Sequence, residues 1–254
     1  MTDASPAAPA AASVVVAGVH VDAFTEQTIV ERVLRMASTE GVDVAVGVNA
    51  HVCNIARRDP RFRTLLDQSI TYADGQSVVW GANILGGAIP ERLATTDIAE
   101  PILRAAAAAD LPVYFFGAAD GIAEQAAARL REKIPGLRLK TQHGYVGADE
   151  LPAVFDDIAT HGTRILFVGM GDPAQRFWVD DHLDRLPPAV LTCGGLFDWL
   201  SGSNRRAPEW MIRGGLEWLW RLMIEPRRLA KRYLLGNPSF VAAVAMQKLR
   251  GSGA

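Results

Sequence analysis

The sequence predicts an α/β fold: a mainly parallel sheet flanked by helices, with a basic helical appendage at the C-terminus. Short β-branched runs alternate with stretches of helical periodicity, as expected of strands joined by crossover helices. The 254 residues suffice to bury a full core without staples. Towards the C-terminus the character changes. Residues 204–254 hold ten Lys or Arg against three Glu, so that segment carries +7 and the remainder −9 of a net −2.

Taken in order, "MTDASPAAPAAAS" has no positive region such as opens a secretory signal, and residues 1–12 are expected to be a disordered tail. The following "VVVAGV" is too short to be a signal or to span a bilayer. Residues 13–203 form the α/β unit. Its expected strands are "VDVAVGVN", "ITYAD", "PVYFFGA", "LRLKTQHGYV", "RILFVGMG" and "AVLTCGG". Between them the helical patterns are "AHVCNIARRDPRFRTLLDQ", "TTDIAEPILRAAAAAD", "DGIAEQAAARLREKI", a segment near 149–161 and one before the last strand. Residues 204–254 are broken by Gly214-Gly215, Pro226 and Asn237-Pro238 into two or three short helices, with tryptophans interleaved among arginines.

No apolar run reaches the roughly 18 residues a membrane helix needs, so the chain is not expected to be integral to a membrane. Cys53 and Cys193 match no metal spacing and read as buried small apolar residues in a reducing compartment, with the cytoplasm as the default location. The acidic remainder and the lack of a recognition motif disfavour nucleic acid. A basic stretch rich in tryptophan fits an anionic membrane surface.

In parallel sheets ligands collect at the carboxyl ends of strands. Asn49, Asp74, Gly117, Gly144, Gly169 and Gly194 fall there and are expected to share one rim. Asp74 reads either as a turn carboxylate beside Gly75 or as a general base, since a rim carboxylate can accept a proton from an attacking hydroxyl. Asn49 is most cheaply an N-cap. Gln175 reads as a surface amide or as a carboxamide pointing into the rim. "TTD" at 95–97 is a good helix start at which Thr96 or Asp97 could also touch ligand. Gly169-x-Gly171 lacks the third glycine and downstream acid of a dinucleotide fingerprint, which disfavours an oxidoreductase. His51 and His143 have no partners at metal-ligand spacing.

In order and spacing, "VNAHVCNIARRD", "YADGQSVVW", "LGGAIPERLATTD", "VYFFGAADGIAEQAAARL", "GLRLKTQHGYV", "ILFVGMGDPAQRFW", "GGLFDWLSG" and "RAPEWMIRGGLEWLWRLMIEPRRLAKRYLLGNP" resemble the WecG/TagA/CpsF glycosyltransferase family. The resemblance covers about residues 14–246. It implies a Rossmann-like core and inverting, metal-independent transfer from a UDP-sugar to a polyprenyl-diphosphate-linked saccharide at the cytoplasmic face of the plasma membrane. No cofactor is implied, and a homo-oligomer is possible. Asp74 and Gln175 match the family's catalytic positions. The candidate substrate-binding residues are Asn49, Arg92, Thr96, Asp97, Tyr145, Arg206, Arg213, Arg221, Arg228, Lys231 and Arg232. The chain has no Asp-x-Asp to hold a metal on a diphosphate, a task that guanidinium groups can perform instead. Gly47, Thr95 and Arg176 depart from the family pattern, and Gly47 and Arg176 raise the alternative of a non-catalytic, membrane-docked partner.

Overall fold

The computed structural model describes residues 12–203, 207–224 and 226–251, leaving out the side chains of residues 212, 213, 217, 228, 231 and 232. All but the last residue of the expected tail lies outside the described residues.

The chain opens with an antiparallel hairpin, β1 (Ser13–Val16) and β2 (Val19–Asp22), followed by α1 (Glu26–Ala37). Then come β3 (Asp43–Val48), α2 (Ala50–Ala56), α3 (Pro60–Asp67), β4 (Ile70–Ala73), α4 (Gln76–Ile84) and α5 (Thr95–Ala108). The second half holds β5 (Val113–Gly117), α6 (Ile122–Lys133), β6 (Leu139–Gln142) and α7 (Leu151–Thr160). It ends in β7 (Ile165–Gly169), α8 (Ala174–Asp181), β8 (Ala189–Thr192) and α9 (Leu196–Leu200). The C-terminal segment forms α10 (Glu209–Arg213), α11 (Glu217–Ile224), α12 (Pro226–Leu234) and α13 (Gly236–Gly251).

The six strands β3 to β8 form one sheet, every pair parallel, in the order β4-β3-β8-β7-β5-β6. Side chains alternate between two apolar layers, as the period of two requires. Tyr114, Phe116, Leu166 and Val168 face one layer, while Val113, Phe115, Ile165 and Phe167 face the other. All six strands are ones the sequence predicts.

The differences have local causes. The expected helix over 50–68 splits because Pro60 starts a new helix, whose first turn Asp59 caps by accepting from the Phe62 N–H at 3.1 Å. The strand expected over 137–146 is confined to β6, which sits at the sheet edge and among the described strands pairs with β5 alone. The hairpin, α1, α4 and α9 are additional elements. Helix α1 is held by Thr25 and Thr28, which cap each other's backbone amides.

Among the described residues the C-terminal segment contains four helices where two or three were expected. Its last helix is also part of the core. Phe240, Ala243 and Val244 of α13 are buried in the same apolar cluster as Val16, Val52 and Val78. Asn54 Nδ2 donates to the Gly236 carbonyl at 2.7 Å, and Gln247 Nε2 donates to the Val15 carbonyl at 2.8 Å.

Both cysteines are free and buried, and burial pushes the Cys53 thiol up to about 12, which keeps it unreactive. Arg176 is buried too. Its Nη2 donates to the Leu65 carbonyl at 2.9 Å and to Ser69 Oγ at 3.2 Å, so the cation serves the C-terminal end of α3, where the helix dipole favours it. Among the described residues its Nε and Nη1 have no partner, and burial lowers the guanidinium pKa. The departure at this position is therefore a packing feature between α8 and α3.

Candidate active site

The register of the sheet places the central pair. Val48 lies opposite Ala73 in the β3–β4 ladder, so the next residues, Asn49 and Asp74, emerge side by side at the carboxyl ends of adjacent strands. The chain turns here because the Asp74 and Gly75 N–H groups both donate to the Val48 carbonyl, at 3.0 and 3.2 Å. Residue 75 must be small, since a Cβ there would stand 2.9 Å from Asn49 Cβ.

Asn49 is an N-cap whose Oδ1 accepts from the His51 and Val52 N–H groups at 3.0 and 3.2 Å. With that oxygen engaged, Nδ2 is left to donate to Asp74 Oδ2 at 3.1 Å. The expected N-cap role and contact with the rim thus coexist in one side chain.

The loop after α4 is tied to the end of β4 by the Leu93 N–H, which donates to the Ala73 carbonyl at 2.8 Å. This delivers the start of α5 to Asp74. Thr95 donates to Asp74 Oδ1 twice, from its N–H at 2.8 Å and from Oγ1 at 3.0 Å. The expected helix start at 95–97 is present, but the residue preceding it is Ala94, which makes no side-chain cap.

Gln175 is not a surface amide. It is 2% exposed, and its Oε1 accepts from the Gly171 N–H at 3.1 Å and the Gly194 N–H at 3.0 Å, while Nε2 donates to Asp172 Oδ1 at 3.0 Å. One carboxamide therefore pins the loops beyond β7 and β8 together. Gly171 and Gly194 have φ of +79° and +54°, in the left-handed region where glycine is at home.

These groups wall a pocket of about 440 Å³. Asn49, Asp74, Arg92, Thr95, Thr96 and Gln175 line it from the sheet side, and Arg221, Trp218, Leu229, Tyr233 and Val241 line it from the C-terminal helices. Arg221 lies with its guanidinium 5.2 Å from the centroid of Trp199, a cation–π contact between α11 and α9. Among the described residues no group of three or more His, Cys, Asp or Glu side chains is arranged to hold a metal ion.

The profile of the "Glycosyl transferase WecG/TagA/CpsF family" matches residues 14–254. The chain belongs to that family. It is also 32% identical, over 202 residues, to the N-acetylglucosaminyldiphosphoundecaprenol N-acetyl-beta-D-mannosaminyltransferase of Bacillus spizizenii, an alignment covering 78% of this chain and 77% of that protein.

In this member of the WecG/TagA/CpsF family the expected site residues divide into four groups. Asp74, Gln175, Asn49, Arg92, Thr96 and Arg221 come together at the pocket. Asp97 stands just behind it, its Oδ2 accepting from Arg92 Nη2 at 2.9 Å. Tyr145 does not join them. It is 81% exposed beyond β6, the edge strand farthest in sheet order from β3 and β4. Arg206 lies outside the described residues, as do the side chains of Arg213, Arg228, Lys231 and Arg232.

Of the six expected rim positions, Asn49, Asp74 and Gly194 line the pocket. Gly117, Gly144 and Gly169 instead pack on one another, and a Cβ on Gly117 would come within 2.3 Å of the Gly169 carbonyl oxygen. Trp199, Trp218 and Tyr233 are lining residues that sequence reasoning missed as site residues, because nothing in their spacing separates a pocket aromatic from a core or membrane one.

Proposed function

We propose that the protein transfers a sugar from a UDP-sugar to a polyprenyl-diphosphate-linked saccharide, with inversion and without a metal ion, in the synthesis of a cell-surface or exported polysaccharide. The observation that carries this reading is the presence of the Asp74 carboxylate and the Arg221 guanidinium on the walls of one pocket. The related N-acetylmannosaminyltransferase supports a lipid-linked diphosphate acceptor. In the proposed reaction the acceptor hydroxyl oxygen attacks the anomeric carbon and its proton passes to Asp74. The anomeric C–O bond to UDP breaks, and the electron pair leaves on the diphosphate. Arg221 meets that developing charge, where preorganised donors contribute most.

Because the phosphate charge is assigned to guanidinium groups, transfer is expected to proceed in chelator. The check is a radiolabelled-sugar assay with EDTA and with added Mg²⁺ or Mn²⁺. Activity lost in EDTA and restored by either ion would replace arginine with a metal as the counter-charge.

The acceptor's lipid requires a membrane. No helix among the described residues is long and apolar enough to cross one. The C-terminal segment nevertheless presents Trp210, Met223, Leu234 and Leu235 to solvent, with Trp210 66% exposed, and Arg227 is exposed as well. Aromatic anchors beside cations suit reversible docking, at about 1 kcal/mol per well-placed Lys or Arg. We place the protein peripherally at the inner face of the plasma membrane. The full chain is expected to sediment with phosphatidylglycerol vesicles and to be released by high salt, and a chain that stays in the supernatant at low salt would refute docking.

A further inference from the structure

Asp74 is held asymmetrically. Among the described residues its Oδ1 receives two donors, both from Thr95, whereas Oδ2 receives only the Asn49 amide. Behind Thr95 stands Tyr72, which is fully buried and has its hydroxyl 2.9 Å from Thr95 Oγ1. A carboxylate can only accept, so the Thr95 hydroxyl proton points at Asp74, and Oγ1 must in turn accept from Tyr72. The chain therefore has one direction, Tyr72 to Thr95 to Asp74. Tyr72 stays a donor, since burial, reinforced by the Asp74 charge, raises its pKa. Position 47 is matched to this arrangement. A Cβ on Gly47 would lie 2.9 Å from Asp74 Cβ, 3.1 Å from Thr95 Oγ1 and 3.1 Å from Tyr72 Cε2, so any side chain there would press on all three members.

We propose that Thr95, backed by Tyr72, is a positioning residue that anchors Asp74 through Oδ1 and leaves Oδ2 as the atom that takes the proton from the attacking hydroxyl. This rests on the transferase reading above. A carboxylate held at one oxygen by two donors cannot swing freely about χ2, so its second oxygen keeps one orientation at the pocket wall. With Oδ1 saturated and Oδ2 carrying a single donor, an incoming hydroxyl finds its acceptor site on Oδ2. Gly47 provides the clearance the relay needs.

The test uses Thr95→Val, which keeps the shape and removes the hydroxyl, Thr95→Ser, which keeps the hydroxyl, and the double variant Tyr72→Phe/Thr95→Val. Removing one hydrogen bond to an ionised group is expected to lower kcat of Thr95→Val about 10- to 100-fold. KM for the UDP-sugar should change less than about twofold, and Thr95→Ser should recover most of the rate. Thr95→Val also strands the Tyr72 hydroxyl, so its melting temperature should fall. The double variant removes that orphan and should regain stability while keeping the low kcat. A kcat that returns with stability in the double variant would make Thr95 merely structural and overturn the proposal, as would a Thr95→Val enzyme with unchanged kcat. If the wild-type chain transfers no sugar from any UDP-sugar, the functional reading fails, and crystal structures of the variants decide the geometry. An Asp74 carboxylate displaced in Thr95→Val and retained in Thr95→Ser supports the anchoring role, and one unmoved in both overturns it.

Discussion

Asp74→Asn is expected to fold and to bind UDP while losing transfer by about 10²–10⁴-fold, the usual cost of removing a general base. The amide is nearly isosteric with the carboxylate, and its oxygen can still accept from the Thr95 N–H and hydroxyl. Its nitrogen would then face Asn49 Nδ2, which now donates to Asp74 Oδ2. Asn49 cannot turn over to present its oxygen, because that oxygen caps α2 through the His51 and Val52 amides. The substitution should therefore lower the melting temperature modestly, by the loss of one hydrogen bond. Single-turnover transfer to a lipid-linked acceptor is the measurement. Near-normal turnover would remove Asp74 from the chemistry.

Arg221→Ala should lower kcat by about 10²–10³-fold, the range seen when one preorganised donor to a developing anion is deleted. Arg221→Lys should fall between the two. It keeps a charge but loses the planar fork that meets a diphosphate bidentately and the face that lies over Trp199. Comparing kcat with KM for the UDP-sugar separates transition-state from ground-state contacts. Should the alanine variant turn over at the wild-type rate, the leaving diphosphate is neutralised by other cations.

The strands were legible because parallel strands buried on both faces leave unmixed apolar runs bounded by turns, as "PVYFFGA" and "RILFVGMG" do. The first hairpin was not, since "VVVAGVHVD" is short and its turn, Ala17-Gly18, carries none of the Asn-Gly or Asp-Gly signals. Helix α4 was hidden because "QSVVWGANI" begins directly at the Asp74-Gly75 turn with no capping side chain. At the site, Asp74 and Asn49 could be picked out because each follows a recognisable strand. That they touch depends on the β3–β4 register, which pairs residues 25 positions apart. Gln175 could not be resolved by periodicity, since its helix face is decided by two glycine loops it must satisfy. Tyr145 falls inside the strand expected over 137–146, but β6 ends at Gln142 on the far edge of the sheet, which leaves Tyr145 exposed and away from the pocket.

The position of β8 beside β3 has a consequence for how the chain comes off the ribosome. β3 finds β4 within a few dozen residues, but its opposite edge is completed only when Ala189 arrives to lie across from Asp43. Throughout the intervening synthesis a bare line of amides and carbonyls, flanked by Val44, Val46 and Val48, is open to whatever strand comes first. Such long-range closure is slow. The nascent polypeptide is thus expected to be most adhesive midway through translation, before β8 closes that edge.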